Sequence, residues 1–204
     1  MAMLLHIDAS PRAESVSSRL AAGFVDRWMR RNAHGTVVHR NTSREKIEYL
    51  DEAMVRAFLN PGAEASGSQR AALAYSDKLV DELLAADVLV IGAPMWNLGI
   101  PASLKAWIDM IVREGRTFAF AEQGVRPLLK PGKRVLVFSA RGGAYGKGTG
   151  FEGLDYFEPY LRAILGSIGL KRIEFVYAEN QSGGPKTAAE GIVRAMRAVD
   201  ELQV

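Results

Sequence analysis

The stretch Val88-Leu-Val-Ile-Gly-Ala-Pro-Met-Trp-Asn-Leu-Gly-Ile-Pro-Ala-Ser-Leu-Lys105 decides how the chain is read. Val88 to Ala93 is apolar without alternation, the mark of a strand covered on both faces, as in a parallel sheet. The two prolines and the glycine that follow fix a turn, and a helix from about Pro101 to Arg113 is predicted next. Working outward, the same alternation recurs. Met3 to Ala9 reads as a first strand, followed by a helix from about Ser17 to Asn32 with Leu20, Phe24 and Trp28 on one face. Thr36 to Arg40 is a short second strand, and Gln69 to Ala86 is a helix that feeds the central strand. Beyond it come a strand at Arg134 to Ser139, a helix near Glu158 to Ile168, a strand at Arg172 to Tyr177 and a helix from about Pro185 to Leu202. Five strands alternating with five helices predict one α/β domain over residues 1–204, a doubly wound five-stranded parallel sheet in the order 2-1-3-4-5.

Composition narrows the function classes. The 204 residues contain no cysteine, which excludes a disulfide scaffold, thiolate metal ligation and a cysteine nucleophile. Any redox chemistry must be borrowed from a cofactor. At 48% hydrophobic and 24% charged the chain is of ordinary globular composition. Its longest apolar run, Val88 to Met95, is far short of the ~20 residues of a membrane span, so no membrane partner is expected. The start of the sequence lacks the pattern of a secretory signal, so a cytoplasmic location is expected. A net charge of +3, from 26 basic and 23 acidic side chains, does not imply nucleic acid. Arg27, Arg30 and Arg31 cluster on a predicted helix, either as a solvated face or as a landing site for an anion.

Ligands of doubly wound sheets bind beyond the carboxyl ends of the strands, which directs attention to three loops. In the first, Ser10, Ser15, Ser17 and Ser18 supply hydroxyls where a helix N-terminus favours an anion, and Arg12 is a possible charge partner. The plainer reading is that Ser17 or Ser18 is an N-cap. In the second, Met95 and Trp96 offer flat or polarizable surface and Asn97 offers a donor and an acceptor, the pairing that a heteroaromatic ring edge needs. Taken singly, Trp96 is equally a packing residue and Asn97 a turn former. In the third, Gly142-Gly143 permits close backbone approach, although Ala140 to Gly150 fits neither the Walker A nor the GxGxxG pattern. His6, His34 and His39 are the histidines, with no GxSxG elbow and no HExxH pair, so neither a hydrolase nor a metal site is supported; His6, inside the first strand, reads as a satisfied core residue.

Ser10 with Ser15-Val-Ser17, then Ala93-Pro-Met-Trp-Asn-Leu98 with Ile100-Pro-Ala-Ser-Leu-Lys105, then Ser139-Ala-Arg-Gly-Gly143, resemble the FMN-dependent NADH-azoreductase and NAD(P)H:quinone oxidoreductase family. The likeness spans the chain and includes Thr117-Phe118, Pro159-Tyr-Leu161 and Gly184-Pro185. It implies a flavodoxin-like homodimer that binds FMN at the subunit interface and transfers two electrons from NADH or NADPH to quinones and aromatic azo compounds. By resemblance, Ser10, Ser15, Val16 and Ser17 hold the FMN phosphate. Met95, Trp96, Asn97 and Leu98 contact the isoalloxazine, and Ala140, Arg141, Gly142 and Gly143 line its pyrimidine edge. The family often carries Tyr where this chain has Trp96, Gln where it has Val16, and an aromatic where it has Ser167.

A flavin enzyme of this kind needs no protein nucleophile, and a donor and an acceptor that use one flavin face in turn predict ping-pong kinetics. The alternative is an FMN electron-transfer protein without NAD(P)H oxidase activity of its own. Such a carrier is expected to be acidic for docking, and a pI of about 9.2 argues against it. For NADPH, Arg12, Arg141 and Lys147 are each able to favour the extra phosphate. Two connections are unusually long. Asn41 to Ser68 has room for a short helix at Asp51 to Phe58, and Glu114 to Gly132 carries Phe118 and Phe120. By resemblance, Phe120 stacks on the acceptor at the partner's flavin; the plain alternative is local packing.

Overall fold

A computed structural model describes residues 1–45, 47–59 and 67–204. Strand β1 (Met3–Asp8) leads through helix α1 (Val16–Arg31) to β2 (Thr36–Asn41). Helices α2 (Glu52–Leu59) and α3 (Gly67–Ala85) precede β3 (Val88–Gly92) and α4 (Ala102–Ile111). An antiparallel pair, β4 (Phe118–Ala121) and β5 (Gly124–Pro127), comes before β6 (Arg134–Ala140), α5 (Glu158–Ser167), β7 (Arg172–Ala178) and α6 (Pro185–Glu201). The main sheet is parallel in the order β2-β1-β3-β6-β7, which is the expected 2-1-3-4-5 once the hairpin strands are set aside.

Side-chain alternation divides the core in two. Leu5, Ile7, Leu89, Ile91, Val135 and Val137 face α3, α4 and α5, where Trp107 is fully buried. Leu4, Val90, Leu136, Phe138 and Val176 face α1 and α6, meeting Phe24, Trp28, Ala195 and Val199. The central strand is thus covered on both sides, which is why it carries no polar alternation. At its end, a Cβ on Gly92 would stand 3.1 Å from the Ala21 Cβ and 3.2 Å from the Ser17 carbonyl. Glycine there lets the first turn of α1 lie close against the sheet.

Three features differ from the sequence reading. The β4–β5 hairpin occupies what reads as an irregular connection, because four-residue strands joined at Glu122-Gln123 carry no Asn-Gly or Asp-Gly turn signal. Arg27 is neither a solvated face nor an anion site. Its guanidinium donates to the carbonyls of Val199, Asp200 and Leu202, at 2.9 and 3.0 Å for the last two, and so caps the C-terminus of α6. His6 is buried as expected but not satisfied, since its Nε2 has no hydrogen-bond partner among the described residues and its ring lies 4.7 Å from that of His39 on β2.

Burial holds the His6 imidazole down at about 4, against an ordinary 6.5; His39 pushes the same way and Asp8 opposes. A folded pKa below the unfolded one means that the neutral ring contributes stability above pH 6.5, lost as pH falls from 6.5 toward 4. The shift corresponds to roughly 3 kcal/mol. Chemical denaturation of wild type and His6→Leu at pH 7, 5.5 and 4 tests this: the acid loss of stability is expected to be smaller in the variant by that amount, and parallel curves would rule it out.

Candidate functional site

The ends of three adjacent strands build one surface. Where β1 stops, Asp8 organises the first loop: its Oδ1 accepts from the Ser18 hydroxyl at 2.8 Å and the Ser10 N–H at 3.2 Å, and its Oδ2 accepts from the Asn41 amide at 3.4 Å. Ser18 is therefore turned away from the loop. The N-cap of α1 is Ser15, whose hydroxyl accepts from the Ser18 N–H at 3.2 Å and lies 3.0 Å from the Ser17 hydroxyl. Ser10, Ser15 and Ser17 are all buried. The N–H groups of Val16 and Ser17, in the open first turn, have no acceptor among the described residues. Buried hydroxyls and free amides at a positive helix end suit a phosphate.

Where β3 stops, the Met95 N–H donates to the Ala140 carbonyl at 2.9 Å, tying the second loop to the third. Trp96 and Gly99 exchange both backbone hydrogen bonds, at 2.9 and 3.0 Å, around a two-residue turn. The turn residues have left-handed backbone, Asn97 at φ 46° and Leu98 at φ 68°. Asparagine tolerates that region and leucine does not, so Leu98 stores strain at the tip. Trp96 is 62% exposed, which removes the packing reading for it, whereas Asn97 is a turn former by geometry. A cleft of about 300 Å³ opens beneath, lined by Pro11, Ser43, Pro94, Trp96, Pro101 and Ser103.

Where β6 stops, a short turn collects the carbonyls. Arg141, Gly142 and Gly143 each accept from a backbone N–H, of Gln181 at 2.9 Å, Ser182 at 3.0 Å and Asn180 at 3.2 Å respectively. The Arg141 N–H goes to Ala178, but those of Gly142 and Gly143 have no acceptor among the described residues. Two consecutive amide donors are left unpaired, on residues that are exposed and half-buried. Arg141 itself is turned inward, 1% exposed and paired with Asp155 at 3.0 Å. Its guanidinium is therefore withdrawn from any nicotinamide phosphate, and its backbone N–H and carbonyl are both taken, so the unpaired donors of this turn are those of the two glycines. The Tyr145 ring would lie 3.7 Å from a Cβ on Gly143.

Ser43, Ser103 and Tyr145 border the site without having been legible as site residues. Ser43 and Ser103 are joined at 3.1 Å, hydroxyl to hydroxyl, and come from segments 60 positions apart, so no motif unites them. Phe120, on β4, is 68% exposed, with the Phe118 ring edge-on at 5.4 Å. Its hairpin is rooted at the amino ends of the strands, where Leu129 bonds to Ile168 and Pro127 abuts Gly169. That is the opposite edge of the sheet from the three loops.

Phosphates at helix N-termini and ring systems at the switch point make a mononucleotide the class of ligand this edge suits. The chain belongs to the flavodoxin-like fold family, whose model matches residues 2–202. It is 40% identical over 200 residues to an FMN-dependent NADH:quinone oxidoreductase of Trichormus variabilis, covering 98% of this chain and 97% of the relative. To an enzyme of the same name from Pseudomonas aeruginosa it is 42% identical over 196 residues, covering 96% and 90%. Among solved structures, an azoreductase from Bacillus anthracis superposes with a TM-score of 0.87 at 27% identity, covering 99% of this chain and all of the other.

The strain at Leu98 predicts an inverted mutational order. Leu98→Val, conservative by side chain, is expected to cost about 1–2 kcal/mol because a branched Cβ resists positive φ, while Leu98→Gly costs nothing or stabilises slightly. Urea titration of the two variants checks this, and a stable Val variant beside a destabilised Gly variant would remove the strain argument.

Proposed function

We propose that the protein is an FMN-dependent NADH:quinone oxidoreductase that also reduces aromatic azo compounds. The observation that carries the reading is the pair of free amides at Gly142 and Gly143, fixed because the neighbouring carbonyls are bonded to residues 180–182. Bound FMN would supply two-electron transfer from NADH or NADPH to the acceptor, in ping-pong order. The chain supplies the rest. Ser10, Ser15 and Ser17, with the open N–H groups of α1, would hold the phosphate. Met95, Trp96, Asn97 and Leu98 would form the shelf for the ring system. The amides of Gly142 and Gly143 would donate to its pyrimidine edge, where negative charge gathers on reduction, and such preset donors cost no reorganisation.

The active form in this reading is a homodimer. Phe120 sits at the far edge of its own sheet, so it can flank an acceptor only in the site of a second copy. Exposed Trp96, Phe120, Val125, Phe151 and Tyr156 give apolar surface for such an assembly. An isolated two-stranded hairpin is marginal in water, and a partner would cover it.

The first experiment is an anaerobic visible spectrum of the FMN-reconstituted protein. NADH should bleach it and a quinone should restore it; FMN that binds but is not reduced would favour an electron carrier instead. A second test uses the open space at Gly143. Gly143→Val should change apoprotein melting little, since the nearest atoms to its Cβ belong to the half-exposed Tyr145 ring at 3.7 Å, yet weaken FMN binding about tenfold or more in a fluorescence titration. Phe120→Ala should raise KM for quinone and azo acceptors while sparing FMN affinity, and unaltered steady-state constants would leave Phe120 only local packing.

A further inference from the structure

We infer that the buried Arg141–Asp155 pair is a positioning brace that holds the shelf turn at Asn97–Leu98 and the donor pair at Gly142–Gly143 in fixed relation; the inference rests on the proposed FMN reading and deepens it. Segment Asp155–Tyr156 is bonded to both loops. The Asp155 Oδ2 takes the Arg141 Nη1 at 3.0 Å, and the next residue, Tyr156, donates its N–H to the Leu98 carbonyl at 3.1 Å. Asp155 cannot drift, because its Oδ1 also caps α5, accepting from the N–H groups of Phe157 at 2.9 Å and Glu158 at 3.0 Å. Arg141 is equally confined: its guanidinium stacks 3.4 Å from the Tyr177 ring centre, and the Tyr177 hydroxyl donates to Glu158 on the capped helix.

Stability does not account for this arrangement. A guanidinium 1% exposed, whose Nε and Nη2 find no acceptor among the described residues, is an expensive way to fill a space bounded by Phe157 and Tyr177. Apolar residues of similar volume commonly replace buried ion pairs without loss of stability. What an apolar residue cannot do is link Arg141 to Asp155 by a directional bond. Arg141 is then held at its main chain by Ala178 and Gln181 and at its side chain by Asp155, and the next two residues are those whose amides have no acceptor among the described residues. Among the described residues, neither Arg141 nor Asp155 bonds to the serine loop. Arg141 and Asp155 are positioning residues, acting on a ligand only through the two loops they hold.

The test compares wild type with Arg141→Met/Asp155→Asn, a double variant that leaves no lone buried charge and keeps a capping oxygen at position 155. Affinities for FMN and for riboflavin, which lacks the phosphate, are measured by fluorescence quenching well below the melting temperature. The expected result is a loss of about tenfold or more for both ligands by the same factor, with a shifted absorption spectrum of the bound flavin. Equal affinities and spectra in variant and wild type would overturn the brace, and so would a change in the ratio of the two affinities, since that signals general loosening that reaches the serine loop. Should the double variant fail to fold, Arg141→Lys, which keeps the charge opposite Asp155 but loses the planar stack on Tyr177, carries the same expectation. Wild type that binds no FMN would overturn the functional reading together with the brace, whereas binding by wild type and variant alike overturns the brace alone.

Discussion

A staircase of backbone hydrogen bonds at the carboxyl edge of the sheet sets everything that lies beyond it. Ala9 donates to Gly92, Ala93 to Phe138, Met95 to Ala140 and Arg141 to Ala178. Each strand hands its first residue outside the regular ladder to the neighbour on the same side. The three loops therefore leave the sheet in a common register, and their free groups are aligned by main-chain geometry rather than by side-chain packing. This is why a site can be assembled from short loops with few charged residues. The donors are amides that need no rotamer to be chosen, and they are already ordered before any ligand arrives.

Much of this was legible in the sequence because the signals were main-chain signals. Unbroken apolar runs at Val88 to Ala93 and Val135 to Phe138, set between helices of 3.6-residue period, leave little choice but a doubly wound sheet. The ends of those runs locate the loops, and Pro94, Pro101, Gly142 and Gly143 mark the turns. The rest depends on long-range pairing that no local pattern encodes. That Ser15 rather than Ser17 or Ser18 caps α1 follows from Asp8 claiming the Ser18 hydroxyl. That Arg141 turns inward follows from Asp155 and Tyr177, 14 and 36 positions away in sequence.

Charge is used sparingly and mostly to close the fold. Arg40 pairs with Glu82 and Glu45, Arg134 with Glu174, and Arg116 with Asp77 and Asp81. The first joins the edge strand β2 to α3, the second joins β6 to β7 and the third ties the connection after α4 to α3, all at partly exposed positions where screening limits what each pair contributes. Around the three loops the balance differs. Trp96, Phe151 and Tyr156 are exposed aromatics beside backbone donors, an amphipathic surface suited to flat, weakly polar rings.

The capture of α6 by Arg27 bears on the order in which the molecule can be completed. It joins groups 172 to 175 positions apart, and the same helix brings Ala195 and Val199 onto Phe24 and Trp28. Helix α6 leaves the ribosome after every other described element, so until then Phe24 and Trp28 of α1 lack the cover of Ala195 and Val199. The helix whose N-terminus forms the serine loop is thus covered only by an element synthesised after the whole sheet. A nascent chain arrested before α6 would carry a formed central sheet with a loosely held phosphate end, exposing Phe24 and Trp28 to aggregation or to a chaperone.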